Sequence, residues 1–160
     1  METLYFGLGL HPGFRLFSSE EKISEFEVYF PKLRETKAEQ IIFSKDCFTK
    51  KDRGEISLEE KTLSLTSALF KKDAVVLSGT GSALFFRKKG TERGIYMEYP
   101  DYSYIGLWQP YGKDAPFLCL EQWTSIPGRE GIEEDIAKKE DFLSLLPEEE
   151  KSFHCLIKLL

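Results

Sequence analysis

Short apolar segments, separated by glycine, proline and charged residues, run along almost the whole chain. Their length and their turn-rich spacing are typical of the strands of a β-sandwich or barrel. The sequence therefore predicts an antiparallel all-β fold with little helix. The predicted strands cover residues 4–10, 26–30, 41–43, 83–86, 95–99, 104–108, 117–121 and 153–159.

Helix signals are weak. Residues 64–72 indicate a turn or two of helix, and the charged residues 131–146 indicate a short helix or a solvated loop. Residues 88–94 lie between two predicted strands and carry the glycines of a hairpin connection. No internal repeat or linker divides the chain, so we expect a single domain over residues 1–160.

The first predicted strand ends at a histidine on a nearly bare face. With a period of two, Gly7, Gly9 and His11 share one face, and the leucines share the other. Glycine in a strand often marks the close approach of a ligand or of another backbone, and Pro12 holds His11 in an extended conformation. The segment is either one wall of a site or a β-bulge in which His11 has only a structural role.

The segment 117–123 places one carboxylate in apolar surroundings. Alternation puts Phe117, Cys119, Glu121 and Trp123 on one face. Desolvation there would raise the pKa of Glu121, and a raised pKa suits proton transfer near neutral pH. His11 and Glu121 form an acid–base pair if the fold brings them together; otherwise Glu121 is a strand-end residue turned to solvent.

Other polar and aromatic side chains have two interpretations each. Trp108 and Tyr111 offer flat apolar surface of the kind on which sugar rings stack. Asp73 either accepts hydrogen bonds from a ligand hydroxyl or is a turn residue before a strand. We expect His154 to be structural or exposed, and residues 113–114 to lie in a solvated turn.

Composition narrows the classes of function. The net charge of the 160 residues is −5, with no basic patch, which argues against nucleic-acid binding. No apolar run reaches membrane-spanning length and no signal peptide opens the chain, so we expect a cytoplasmic protein without membrane association. The three cysteines lack CxxC spacing, which predicts reduced thiols. No zinc spacing or P-loop occurs, so we expect neither metal nor cofactor.

Three motifs together resemble the aldose 1-epimerase (galactose mutarotase) superfamily, and within it the bacterial LacX-like subgroup. They are HPGF at residues 11–14, LFKKDAVVL at 69–77 and YIGLWQPYGKDAPFLCLEQW at 104–123. Their order and rough spacing agree with that superfamily. The resemblance implies a galactose mutarotase-like β-sandwich, here a partial one.

The resemblance also implies an activity in hexose or galactose metabolism: interconversion of the α and β anomers of a free hexose, without cofactor or metal. His11 would donate a proton to the ring oxygen as general acid. Glu121 would remove the proton of the C1 hydroxyl as general base. Asp73 would bind sugar hydroxyls and Trp108 would form a pocket wall.

The sequence departs from the superfamily in two ways. Gln122 stands where a proline is usual, and no HGFAR-like segment supplies a second histidine and an arginine. We therefore expect the chain to correspond to the C-terminal portion of such a protein. Three alternatives stay open: an active isomerase, a catalytically impaired remnant that binds carbohydrate weakly or not at all, and a β-sandwich interaction module whose sugar site is vestigial. Missing strands would leave sheet edges uncovered, which predicts a homodimer or edges masked by loops.

Overall fold

The computed structural model describes residues 2–113 and 115–160. In that part of the chain, thirteen strands and two short 3₁₀ helices, Ile23–Glu25 and Ser67–Lys72, make up the regular structure. The strands are β1 (Leu4–Phe6), β2 (Gly13–Arg15), β3 (Phe26–Tyr29), β4 (Lys37–Ile41), β5 (Gly54–Ser57), β6 (Thr62–Ser64), β7 (Val75–Ser78), β8 (Ala83–Lys88), β9 (Gly94–Glu98), β10 (Tyr104–Trp108), β11 (Phe117–Trp123), β12 (Leu143–Leu145) and β13 (Leu156–Leu159).

The strands form two large antiparallel sheets and one small one. The six-stranded sheet has the order β2-β11-β10-β7-β4-β5, and the five-stranded sheet has the order β13-β9-β8-β3-β6. β1 and β12 pair separately. Every pairing is antiparallel. The predicted all-β fold is thus confirmed.

One hydrophobic core joins the inner faces of the two large sheets. Leu107 and Leu120 from the six-stranded sheet belong to the same buried cluster as Val28, Phe86 and Met97 from the five-stranded sheet. All five have no exposed side-chain area, because alternate residues of each strand point inward. This packing makes the two sheets a sandwich.

The outer face of the six-stranded sheet is also covered. Ile41, Val76 and Ile126 form a second, smaller cluster, against which Tyr104 and Trp123 pack. β11 is consequently buried on both faces along its five central residues. A carboxylate in β11 is therefore shielded from solvent even when it faces away from the main core.

The structure corrects several predicted bounds. The strand predicted over residues 4–10 breaks after Phe6, and the strand predicted at 41–43 ends at Ile41. Residues 131–146 contain the strand β12 and no helix. β5 and β6 lie at sheet edges and were not predicted, because solvent on one side leaves edge strands polar and weakly patterned.

Two other predictions are confirmed. Residues 89–93, within the predicted hairpin connection, join the paired strands β8 and β9, and a 3₁₀ helix lies within the predicted residues 64–72. Within residues 2–113 and 115–160, no helix is long and apolar enough to span a membrane.

One sheet edge is strongly apolar. β13 lies at the edge of the five-stranded sheet, and its side chains are exposed on both faces. Leu156 and Ile157 are each 44% exposed and Leu159 is 80% exposed. No loop masks this edge among the described residues, contrary to one of the two expectations for sheet edges.

Candidate functional site

A single register aligns residues 8–16 with β11. Within it, Gly9 forms a β-bridge with Trp123, and Gly13 pairs with Cys119. The pairs before and after His11 therefore belong to one continuous register. In this register His11 lies directly opposite Glu121. Directly opposed residues of antiparallel strands share a face. Strand alternation, which predicted that Gly9 and His11 share a face, holds despite the break after Phe6.

Pro12 explains why this segment is not one continuous strand. The Leu120 N–H donates to the Pro12 carbonyl at 3.0 Å, but Pro12 has no N–H with which to return a bond. The ladder resumes at Gly13. The chain is therefore extended at His11, but its backbone hydrogen bonds to β11 are incomplete there. The His11 side chain lies at this interruption and is exposed to solvent.

The glycines of this segment make room for side chains of the facing strand. A Cβ on Gly9 would lie 2.9 Å from Cδ1 of Trp123, and a Cβ on Gly7 would lie 2.0 Å from Oγ of Ser125. On the other side of β11, Gly106 of β10 lies opposite Glu121, and a Cβ there would lie 3.2 Å from the Glu121 Cβ. The bare face thus accommodates Trp123 and the Glu121 side chain.

His11 and Glu121 are in direct contact. The His11 Nε2 lies 3.1 Å from the Glu121 Oε1. The imidazole is 62% exposed, whereas the Glu121 side chain is 4% exposed. The site therefore has a solvent-facing histidine above a buried carboxylate, and the alternative of a solvent-facing Glu121 is wrong.

Burial raises the pKa of the Glu121 carboxyl, as the sequence predicted. The His11 imidazole lowers this pKa, and the Asp73 carboxylate raises it, because a like charge disfavours ionisation. Desolvation is the largest of the three effects. Glu121 therefore holds a proton to a higher pH than an exposed glutamate does.

Asp73 and Trp108 form a second contact on the same side of the sheet. Asp73 ends the second 3₁₀ helix with a φ of 83°, just before β7. Its Oδ1 accepts a hydrogen bond of 2.6 Å from the Trp108 indole N–H. The Trp108 ring in turn meets the His11 ring edge-on, with 6.1 Å between centroids. Asp73 is thus a turn residue that also reaches the site.

Cys119 completes the immediate surroundings. It lies on the same face of β11 as Glu121, and its Sγ and the ligand atoms of His11 and Glu121 all lie within 4.8 Å of one another. Burial raises the pKa of the Cys119 thiol, and the nearby Glu121 carboxylate raises it further. A thiol with a raised pKa keeps its proton to a higher pH and is less nucleophilic than an exposed cysteine.

A cavity of about 290 Å³ adjoins the site, and Asp73 and Trp123 line part of it. This volume is near the lower end of small-molecule sites, which begin at roughly 300 Å³. The lining also includes Phe43, Lys45 and Lys72. A small polar ligand with hydroxyl groups suits such a mixed lining.

The remaining predicted residues lie elsewhere. His154 precedes β13, is exposed as expected, and contacts the Asp101 carboxylate through Nδ1 at 3.0 Å. Tyr111 is exposed in the loop before β11, and Lys113 lies in the predicted turn. Asp114 lies outside the described residues. Alternation placed Cys119 beside Glu121, and the structure confirms this, but no sequence signal gave Cys119 a functional role.

Comparison with known proteins agrees with the predicted resemblance. No protein-family model matches the chain. The plasmid and chromosomal LacX proteins of Lactococcus lactis subsp. lactis are each 24% identical over 127 residues, which is 78% of this chain and 42% of each relative.

Solved structures show the same fold. A galactose mutarotase related enzyme from Lactobacillus acidophilus matches with a TM-score of 0.79 and 24% identity, over 98% of this chain and 50% of that one. A galactose mutarotase-like protein from Lactobacillus casei matches with a TM-score of 0.79 and 20% identity, over 98% of this chain and 53% of that one. The fold is therefore galactose mutarotase-like, and the chain spans about half the length of these proteins.

Proposed function

We propose that this chain is an aldose 1-epimerase-like protein that interconverts the α and β anomers of a hexose. The observation that carries the proposal is the 3.1 Å contact between His11 Nε2 and Glu121 Oε1, in a fold shared with mutarotase-like proteins. A solvent-facing proton donor and a buried base on one sheet face are the two groups that ring opening needs.

In the proposed reaction, the sugar enters between the two side chains. The Glu121 carboxylate takes the proton of the C1 hydroxyl, and the C1–O5 bond breaks as His11 gives a proton to the ring oxygen. The free aldehyde then rotates about the C1–C2 bond. Reclosure returns the proton from O5 to His11 and the proton from Glu121 to O1, so both groups end as they began.

The environment of Glu121 suits this role. Its raised pKa makes the carboxylate a stronger base than an exposed glutamate, and a base works best when its pKa approaches the working pH. The exposure of His11 leaves its ring free to move from Glu121 toward the ring oxygen. The two groups thus have complementary environments.

Binding of the sugar falls to the neighbouring side chains. In our proposal, Asp73 accepts hydrogen bonds from sugar hydroxyls with the carboxylate oxygen that Trp108 does not use. The Trp108 ring, held in place by that hydrogen bond, provides a flat wall beside His11. Hydrogen bonds to a charged group such as this carboxylate contribute about 1.5–3 kcal/mol each.

A second candidate function is a carbohydrate-binding protein with impaired catalysis. It is favoured by the openness of the site, because the His11 imidazole is 62% exposed. A sugar that these residues contact on one side only would be bound and oriented weakly. The two candidates share the site and differ in turnover.

Polarimetry with α-glucose and α-galactose separates them. The active protein should accelerate mutarotation, and Glu121→Gln and His11→Asn should each lower the rate by about 10²–10⁴-fold. His154→Asn is the matched control, because His154 also contacts a carboxylate but lies away from the site. A wild-type rate equal to buffer, with sugar binding retained in NMR titration, establishes the second candidate; no binding at all refutes both.

We also propose that two copies associate through β13. Its apolar side chains are exposed and its outer edge offers unpaired backbone groups. Sedimentation should show a dimer that Ile157→Lys dissociates. A monomer at all concentrations would contradict this proposal.

A further inference from the structure

The thiol of Cys119 has no part in the proposed proton transfers, yet it lies beside both groups that carry them. Cys119 and Glu121 are two residues apart on one face of β11, and His11 approaches from the neighbouring segment. Their Sγ, carboxylate oxygen and ring nitrogen all lie within 4.8 Å of one another. Imidazole nitrogen, thiolate sulfur and carboxylate oxygen are the donor types that bind zinc in proteins.

We propose that His11, Cys119 and Glu121 bind a single borderline-soft divalent cation, for which zinc is the probe. Tetrahedral zinc with bonds of about 2.0–2.3 Å needs donor atoms roughly 3.3–3.6 Å apart. The His11–Glu121 contact of 3.1 Å is close to this separation. The Cys119 Sγ, which lies within 4.8 Å of the other two donors, reaches the same separation if side-chain rotation moves it by about 1 Å.

The sheet leaves room for the cation. A Cβ on Gly13, which pairs with Cys119, would lie 3.5 Å from the Cys119 Sγ. A Cβ on Gly106 would lie 3.6 Å from the Glu121 Oε2. Because both positions are glycines, no Cβ occupies the space beside either donor, and the Phe117 and Trp123 rings border it. The exposed side of His11 leaves a fourth coordination position for water.

The donor set also predicts which cations are excluded. Magnesium and calcium prefer oxygen ligands, whereas imidazole and thiolate select zinc and related transition metals. On binding, the S–H bond of Cys119 breaks, an S–Zn bond forms and the proton passes to solvent. A bound cation lowers the pKa of a coordinating thiol enough to drive this exchange.

If the proposed function holds, the cation is an inhibitor. It would occupy the Glu121 oxygen and the His11 nitrogen that the sugar reaction uses. This consequence rests on the proposed function, but the binding itself does not. Zinc affinity is therefore measured without sugar, so that the two proposals succeed or fail separately.

The experiment is a competition between the protein and a chromophoric zinc chelator. All variants carry Cys47→Ser, because this exposed thiol would bind metal on its own. Cys119→Ser and His11→Asn should weaken zinc binding at least tenfold. Cys155→Ser and His154→Asn, the same residue types elsewhere, should leave it unchanged. Circular dichroism checks that each variant is folded.

Cobalt provides a second readout of the thiol. The cobalt complex should show a thiolate charge-transfer band that is absent in Cys119→Ser, and excess magnesium or calcium should not displace the ion. Equal zinc affinity in the parent and Cys119→Ser overturns the proposal, as does the absence of binding to the parent. A folded Cys155→Ser variant that loses binding equally would also overturn it.

Discussion

Replacement of Gly9 by alanine tests the contact that aligns residues 8–16 with β11. The new Cβ would lie 2.9 Å from Cδ1 and 3.5 Å from Nε1 of Trp123. Cβ atoms essentially never approach other atoms within 3.0 Å. The Trp123 ring packs against the outer cluster of Ile41, Val76 and Ile126, so a movement of the ring would disrupt this packing. Either the indole or the segment that carries His11 must shift.

Two opposing contributions set the expected change in stability. Overpacking of a filled site costs about 1–3 kcal/mol. Alanine also reduces the entropy of the unfolded chain, which favours folding by about 0.4–1 kcal/mol. For Gly9→Ala we expect a net loss of roughly 0.5–2 kcal/mol. Gly13→Ala is the matched control, because its Cβ meets the Cys119 Sγ at an ordinary 3.5 Å. The free energy of unfolding of Gly13→Ala should equal that of wild type or be slightly higher.

The assay is urea unfolding of both variants, followed by far-ultraviolet circular dichroism at one pH. The difference between the two free energies of unfolding isolates the overpacking contribution, since the entropic contribution is common to both. If Gly9→Ala were as stable as Gly13→Ala, Trp123 would not lie against Gly9. The register that places His11 opposite Glu121 would then be refuted.

Two further predictions concern Glu121 and the main core. Because the folded-state pKa of Glu121 is raised, its contribution favours folding fully below the unfolded pKa and is lost as pH rises through the folded one. Glu121→Gln should therefore gain stability relative to wild type as the pH rises above about 4, the usual pKa of an exposed glutamate, in urea titrations, and a pH-independent difference would contradict this. Phe86→Ala, at a fully buried position, should lose about 3–5 kcal/mol. Tyr111→Ala, at a 52% exposed position, should change stability by less than about 0.5 kcal/mol in the same assay.

The central strands were the most predictable part of the fold. β10 has the bounds predicted from its apolar residues, Tyr104–Trp108, because it is an interior strand packed on both faces. β11 extends two residues beyond its predicted end at Glu121. Gln122 is fully buried there because its side-chain amide donates to the Leu120 carbonyl at 2.8 Å. A hydrophobicity pattern cannot show that a polar side chain is satisfied in this way.

The sequence predicted which residues form the candidate site, but it did not predict all the contacts between them. Alternation placed His11 and Glu121 on defined faces, and only the strand pairing shows that those faces meet. The hydrogen bond from Trp108 to Asp73 joins β10 to the end of the second 3₁₀ helix and follows no sequence signal. A turn at Asp73 was one of its two predicted interpretations, but its positive φ, which is uncommon for a residue with a side chain, was not evident from the sequence.

The placement of the aromatic residues has a practical consequence for spectroscopy. Trp108 and Trp123 are the two tryptophans of the chain, and each packs beside the His11–Glu121 pair or the strand segment that carries it. Trp108 is half-buried and hydrogen-bonded to a carboxylate, whereas Trp123 lies under the outer cluster. Intrinsic fluorescence excited at the indole band therefore originates entirely at this one face of the sandwich. The protein carries its own unlabelled optical probe, whose emission reports on events at the site without background from the rest of the fold.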